Sequence, residues 1–129
     1  MKNSIKIIAL WGITLAGLAS HSLIEIAPLF FGASVEIPDA TGTMPASMGW
    51  MSLILYLIPM ICIVGALYLS SAWTKITNLV ISALFLLLNA VHFVEDGIIG
   101  HNMIQAILLL FVLFSSVLLF VASLKWKKE

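Results

Sequence analysis

Histidines are scarce in this chain, and together with three of its six carboxylates they fall in two places. Residues 89–101 (NAVHFVEDGIIGH) hold His92, Glu95, Asp96 and His101, and a second pair, His21 with Glu25, stands far from them in sequence. Imidazole and carboxylate are the donors that zinc, manganese or ferrous iron take when no thiolate is present. Cys62 is the only cysteine, which excludes a thiolate cluster, an intrachain disulfide and a CxxC redox pair. His21, Glu25, His92, Glu95, Asp96 and His101 are therefore the candidate ligands of a divalent transition metal. The chemistry would be hydrolytic or redox, on a small or lipidic substrate.

The same residue types support other uses. A carboxylate that orients an imidazole can act as an acid/base pair or a proton relay. Paired histidines, here His21 and His92, can ligate a b-type haem from facing helices. HExxH is absent, and neither HxxxE nor HxxED is diagnostic of zinc. Glu95, Asp96 and His101 also fall where a helix should end, a place where charged residues are commonly just solvated. His92 and Asn89 could be interhelical hydrogen-bond partners with no chemistry. Glu25 is harder to set aside, because a carboxylate at mid-membrane costs about 2.5–3.5 kcal/mol and needs a partner. His21 and His92 are the partners at hand.

The elements that must position these groups follow from composition. Of 129 residues, 62% are hydrophobic and 9% charged, whereas a soluble domain is about 25% charged. The bilayer is the solvent this composition implies. Six lysines balance six acids and there is no arginine, so no basic surface exists for a nucleic acid. Apolar runs at 5–31, 50–69, 76–94 and 103–124 each approach the ~20 residues a helix needs to cross ~30 Å of hydrocarbon. Helices are the expected form, since backbone groups in lipid must pair within their own segment. The short links at 70–75 and 95–102 predict an all-α integral membrane protein, one domain, with four transmembrane helices in an up-down-up-down bundle.

All six lysines (Lys2, Lys6, Lys75, Lys125, Lys127 and Lys128) then fall on one side of the membrane, which positions both termini in the cytoplasm. Trp73 and Trp126 are expected in an inner aromatic belt and Trp50 in an outer one. Residues 1–19 have a charged start and small residues near Ala19, as a secretory signal does. The apolar run continues to Phe31, which favours a retained span. The outer loop, 32–48, is rich in turn signals around Pro38, Gly42 and Pro45.

Within this frame the third run carries a seam, Asn78, Ser82, Phe85, Asn89, His92 and Asp96, at alternating steps of four and three that place all six on one helix face. Polar side chains at membrane depth turn toward partner helices or a wet cavity, so this face should look inward. His21 and Glu25 share a face of the first run, and Tyr56 on the second lies at a matching depth. Every histidine and five of the six carboxylates belong to the outer half or outer surface. His21 and His92 are expected close together. Gly12, Ala16 and Ser20, four apart, predict a close helix contact, and Pro59 a kink.

HSLIE (residues 21–25) at the outer end of the first helix and NAVH (residues 89–92) in the third of four resemble the small bacterial membrane proteins of the HXXEE family. The first motif has three residues between His and Glu and no second glutamate, and the nearest HxxEE-like string, HFVED, lies in the third helix. The resemblance implies a bacterial inner-membrane location and marks His21, Glu25, Asn89 and His92 as the polar positions; no activity comes with it. The partners expected are the lipid bilayer, a small-molecule or lipid ligand, and a membrane-protein partner or second copy of the chain.

Overall fold

Backbone amides surrounded by apolar side chains have only one another to bond, and the apolar runs accordingly coil into helices. A computed structural model describes residues 2–129, and its regular elements are all helical: α1 (Asn3–Ile26), a 3-10 turn (Ala27–Phe31), α2 (Ala46–Tyr68), α3 (Ala72–His92), a π-helical segment (Phe93–Ile99) and α4 (Met103–Lys127). Four helical stretches are long and apolar enough to cross a membrane. Ser71 and Asn102 cap α3 and α4, their side-chain oxygens accepting from the backbone N–H of Thr74 and Gln105 at 3.2 Å. Each satisfies a donor that the first helical turn leaves free. At the end of the 3-10 turn Gly32 takes φ 80°, a left-handed conformation that glycine adopts without steric cost, and the chain leaves the helix.

Several boundaries differ from expectation. α2 and α3 begin at Ala46 and Ala72 rather than at 50 and 76, because Pro45 and the Ser71 cap decide the start, not hydropathy. The third helical stretch does not stop at Val94 but runs on through the π-helical segment to Ile99, so the link expected at 95–102 shrinks to 100–102. The first run narrows from α to 3-10 at Ala27, next to Pro28, which has no N–H to give to the α ladder.

Three of the helices bury a single seam each, at alternating steps of three and four. On α1 it is Ile7, Trp11, Thr14, Leu18 and His21; on α3 it is Asn78, Ser82, Phe85 and Asn89. On α4 it is Gln105, Leu109, Val112, Ser116, Leu119, Ser123 and Trp126. This 3.5-residue period keeps one stripe facing a neighbour over the whole helix length. α4 packs along both α1 and α3, while α2 lies against α1 and touches α3 only sparsely. The close contact of α1 is at Gly17, where a Cβ would run into the Val112 side chain. Gly12 has open space and Ala16 is exposed, because both lie off the seam that turns toward α4.

Polar members of the seams stitch the helices together. Trp11 Nε1 donates to Asn78 Oδ1 at 2.8 Å, and Asn78 Nδ2 donates to Ser123 Oγ at 2.8 Å. Three seam steps along α3, Asn89 Nδ2 donates to Ser116 Oγ at 2.7 Å. Trp11 also meets Phe85 edge to face, with ring centroids 5.1 Å apart. Trp126 is buried and carries the Lys75 ammonium 5.9 Å above its ring, so it belongs to the core rather than to a surface belt; Trp73 and Trp50 are exposed.

Candidate metal centre

The seams of α1 and α4 and the extension of α3 meet at one place. His21, buried in α1, lies with its ring edge to face against that of His92, centroids 5.8 Å apart. Asp96, on the π-helical segment, brings Oδ2 to 3.5 Å from His21 Nε2. One ligating atom from each of His21, His92 and Asp96 lies within 4.8 Å of the other two. Glu25, one turn beyond His21 on α1, puts Oε1 3.5 Å from the same Nε2 while its side chain stays 54% exposed.

The other ring nitrogens are already engaged. His21 Nδ1 is 2.9 Å from Gln105 Oε1. An amide oxygen only accepts, so the imidazole is the donor and its proton sits on Nδ1. Gln105 in turn donates from Nε2 to the backbone carbonyl of His21 at 3.3 Å, which fixes the orientation of the amide. His92 Nδ1 is 3.2 Å from the carbonyl of Leu88, and that contact again requires a proton on Nδ1. With Nδ1 so engaged, Nε2 is the nitrogen that each ring has left to offer a metal. Fixing the tautomer through the far nitrogen is how histidine ligands are prepared for a metal.

The π-helical segment decides which acid joins. Its turns close on the fifth residue, as in the bond from Gly100 N–H to Glu95 O at 2.9 Å, so each residue advances by a smaller angle than in an α-helix. Asp96, four residues after His92, stays on the seam, and Glu95, three after it, is carried away and is exposed. Gly97 is buried where the segment crosses α4: a Cβ there would stand 3.0 Å from Ala106 Cα. His101 is exposed in a left-handed conformation, φ 51°, and lies outside the cluster. Asn89 bonds Ser116 rather than His92, leaving its Oδ1 as the one buried side-chain polar atom without a partner among the described residues.

Beside the imidazoles is a pocket of ≈ 90 Å³ between α1 and α2, lined by His21, His92, Leu18, Ser22, Ser52 and Tyr56. That is room for several waters, each ~30 Å³ in the liquid. Tyr56 Oη and Ser22 Oγ are hydrogen-bonded at 2.9 Å on its wall, which joins α2 to the group. Gln105 was not among the expected site residues. Its signal was present in the sequence: it opens the 105, 109, 112, 116 seam of α4 and is the one amide in an otherwise apolar first half of that helix. Comparison with protein-family models, curated proteins and solved structures gives no match, and the likeness to HXXEE proteins rests on the motif residues alone.

Proposed function

We propose that this is a multi-pass membrane protein that binds a divalent transition metal through His21, His92 and Asp96. The observation that carries the reading is the pair of imidazoles with Nδ1 hydrogen-bonded to an oxygen acceptor and Nε2 left to offer, next to an aspartate. Two histidines and a carboxylate form the donor set of catalytic zinc and of non-haem ferrous iron, both of which keep an open position. Ligating atoms about 3–3.5 Å apart would suit bonds of ~2.0–2.1 Å; His21 Nε2 and Asp96 Oδ2 are already at 3.5 Å, and the cluster, within 4.8 Å, would have to draw in elsewhere. Glu25 is placed to act as a further ligand or a base. A bound ion would polarise water or a small substrate at its open position, and the pocket toward Tyr56 suits a small molecule or a lipid head rather than a whole lipid. A haem is the weaker reading, since ligand sites of that class take ~300 Å³ or more.

The membrane part of the reading is supported by exposed apolar side chains on every helix, such as Leu57, Leu87 and Ile107. The hydrogen bonds Asn78–Ser123 and Asn89–Ser116 pair rising numbers on α3 with falling ones on α4. Asn3–Glu129 and His21–Gln105 do the same for α1 and α4. These pairs run α4 antiparallel to α1 and to α3, which supports an up-down-up-down order with the lysine-bearing ends together and, by the bias of positive charge, in the cytoplasm. Metal analysis by mass spectrometry of purified protein reconstituted with zinc, manganese or ferrous iron tests the site. We expect close to one ion per chain, lost in His92→Ala. Equal metal content in the two would leave the cluster as helix-to-helix stitching.

A further inference from the structure

At the opposite end from the histidines, α1 and α4 enclose an open groove of ≈ 370 Å³, within the ~300–1,000 Å³ typical of ligand sites. Its polar residues are confined to one end: Asn3 and Lys6 from α1 and Lys125 from α4. The remainder is apolar and reaches Ile13 on one helix and Leu118 on the other. Lys6 to Ile13 and Leu118 to Lys125 are the same seven residues long (13 − 6 = 7; 125 − 118 = 7). That is about 10 Å at ~1.5 Å per residue, some two-thirds of the ~15 Å that one leaflet contributes to the hydrocarbon core.

The charges at the head of this trough are unanswered. Among the described residues the close approaches of a basic to an acidic side chain are those of His21 to Glu25 and Asp96, so neither Lys6 nor Lys125 is matched by a carboxylate. Glu129, the acid at this end of the helices, is turned onto Asn3, whose Nδ2 donates to its Oε1 at 2.6 Å. Lys75 is occupied over the Trp126 ring. Two ammonium groups without counter-ions above an apolar channel match a molecule with a negative head and a hydrocarbon tail. A zwitterionic head would bring a third cation to the same place.

We propose that this groove holds one anionic phospholipid, its phosphate between Lys6 and Lys125 and an acyl chain along the seam between α1 and α4. The proposal rests on the membrane reading above, and not on the metal. Basic pockets between helices on the cytoplasmic side are suited to anionic head groups. The full chain, purified in mild detergent with equal phosphatidylglycerol and phosphatidylethanolamine, should retain phosphatidylglycerol preferentially in native mass spectrometry. Lys6→Gln and Lys125→Gln should each weaken retention roughly fivefold, from the ~1 kcal/mol a lysine contributes near an anionic surface. Ala9→Trp should block the groove with both charges intact, whereas Lys127→Gln with Lys128→Gln should leave retention unchanged. Inorganic phosphate should not displace the lipid. Equal losses in all the lysine variants, displacement by phosphate, or no preference in a protein that stays in membranes after an alkaline wash would each overturn this site alone. A chain released by that wash would overturn the membrane reading with it.

Discussion

The two ends of the α1, α3 and α4 seams are both buried and both polar, yet they are built from different chemistry. At the lysine end Trp11, Asn78 and Ser123 form a chain in which each side chain donates to the next acceptor: the indole to Asn78, the amide to Ser123, and the Ser123 hydroxyl to the Leu119 carbonyl at 2.8 Å. The Asn89–Ser116 pair repeats the amide-to-hydroxyl bond, with the Ser116 hydroxyl donating to Val112 O at 2.9 Å, while Asn89 Oδ1 stays without a partner. At the other end Gln105 and Leu88 occupy only one nitrogen of each imidazole, and the second nitrogen of His21 faces two carboxylates. Burial of polar groups is thus common to both ends. What separates the candidate site from the structural contacts is the type of group left over: imidazole nitrogens beside carboxylates, the donors that a metal takes.

Substitutions at four positions test that contrast, the strongest first. Gln105→Leu should lower metal affinity about 10–100-fold, as loss of a histidine's orienting partner typically does, measured by chelator competition. Gln105→Glu keeps an acceptor for Nδ1 and should recover most of the affinity. If the leucine variant bound metal normally, the tautomer of His21 would not matter to the site. Asn78→Leu should destabilise the fold by about 1–3 kcal/mol, the sum of two interhelical hydrogen bonds averaging ~0.6 and reaching ~1.7 kcal/mol each in membranes. It should leave metal affinity within about twofold, since the change lies outside the site and surroundings of that kind add independently. A matched loss of metal would show the two ends to be one coupled network. Glu95→Gln and His101→Ala should change stability by less than about 0.5 kcal/mol, as exposed substitutions do, with metal content unaltered; a metal-free Glu95→Gln would restore Glu95 as a ligand.

Much of this was legible in the sequence because lipid leaves a chain few options. Helices are the expected form for runs at 5–31, 50–69, 76–94 and 103–124, and strict three-and-four spacing put Asn78, Ser82, Phe85 and Asn89 on a buried face. The meeting of His21 and His92 followed from matching depths. Less legible was anything that depends on rotation about a helix. A π turn changes the angular step after His92, and no periodic pattern distinguishes Glu95 from Asp96 without it. Whether Gly12 or Gly17 makes the close contact depends on which side of α1 meets Val112. Gln105 stands near the start of α4, where a polar residue needs no further explanation, and only the neighbouring imidazole gives it a role.

α2 contributes none of the atoms closest to the imidazole nitrogens. The clustered ligating atoms come from α1 and from α3 with its π-helical extension, and the orienting amide comes from α4, while α2 is attached along α1 and only sparsely to α3. Its share is the far wall of the pocket, Ser52, Leu55 and Tyr56. The cluster and the pocket wall are therefore separable pieces of the chain: exchanging the residues of one exposed helix would change the space beside the histidines without altering the histidines themselves.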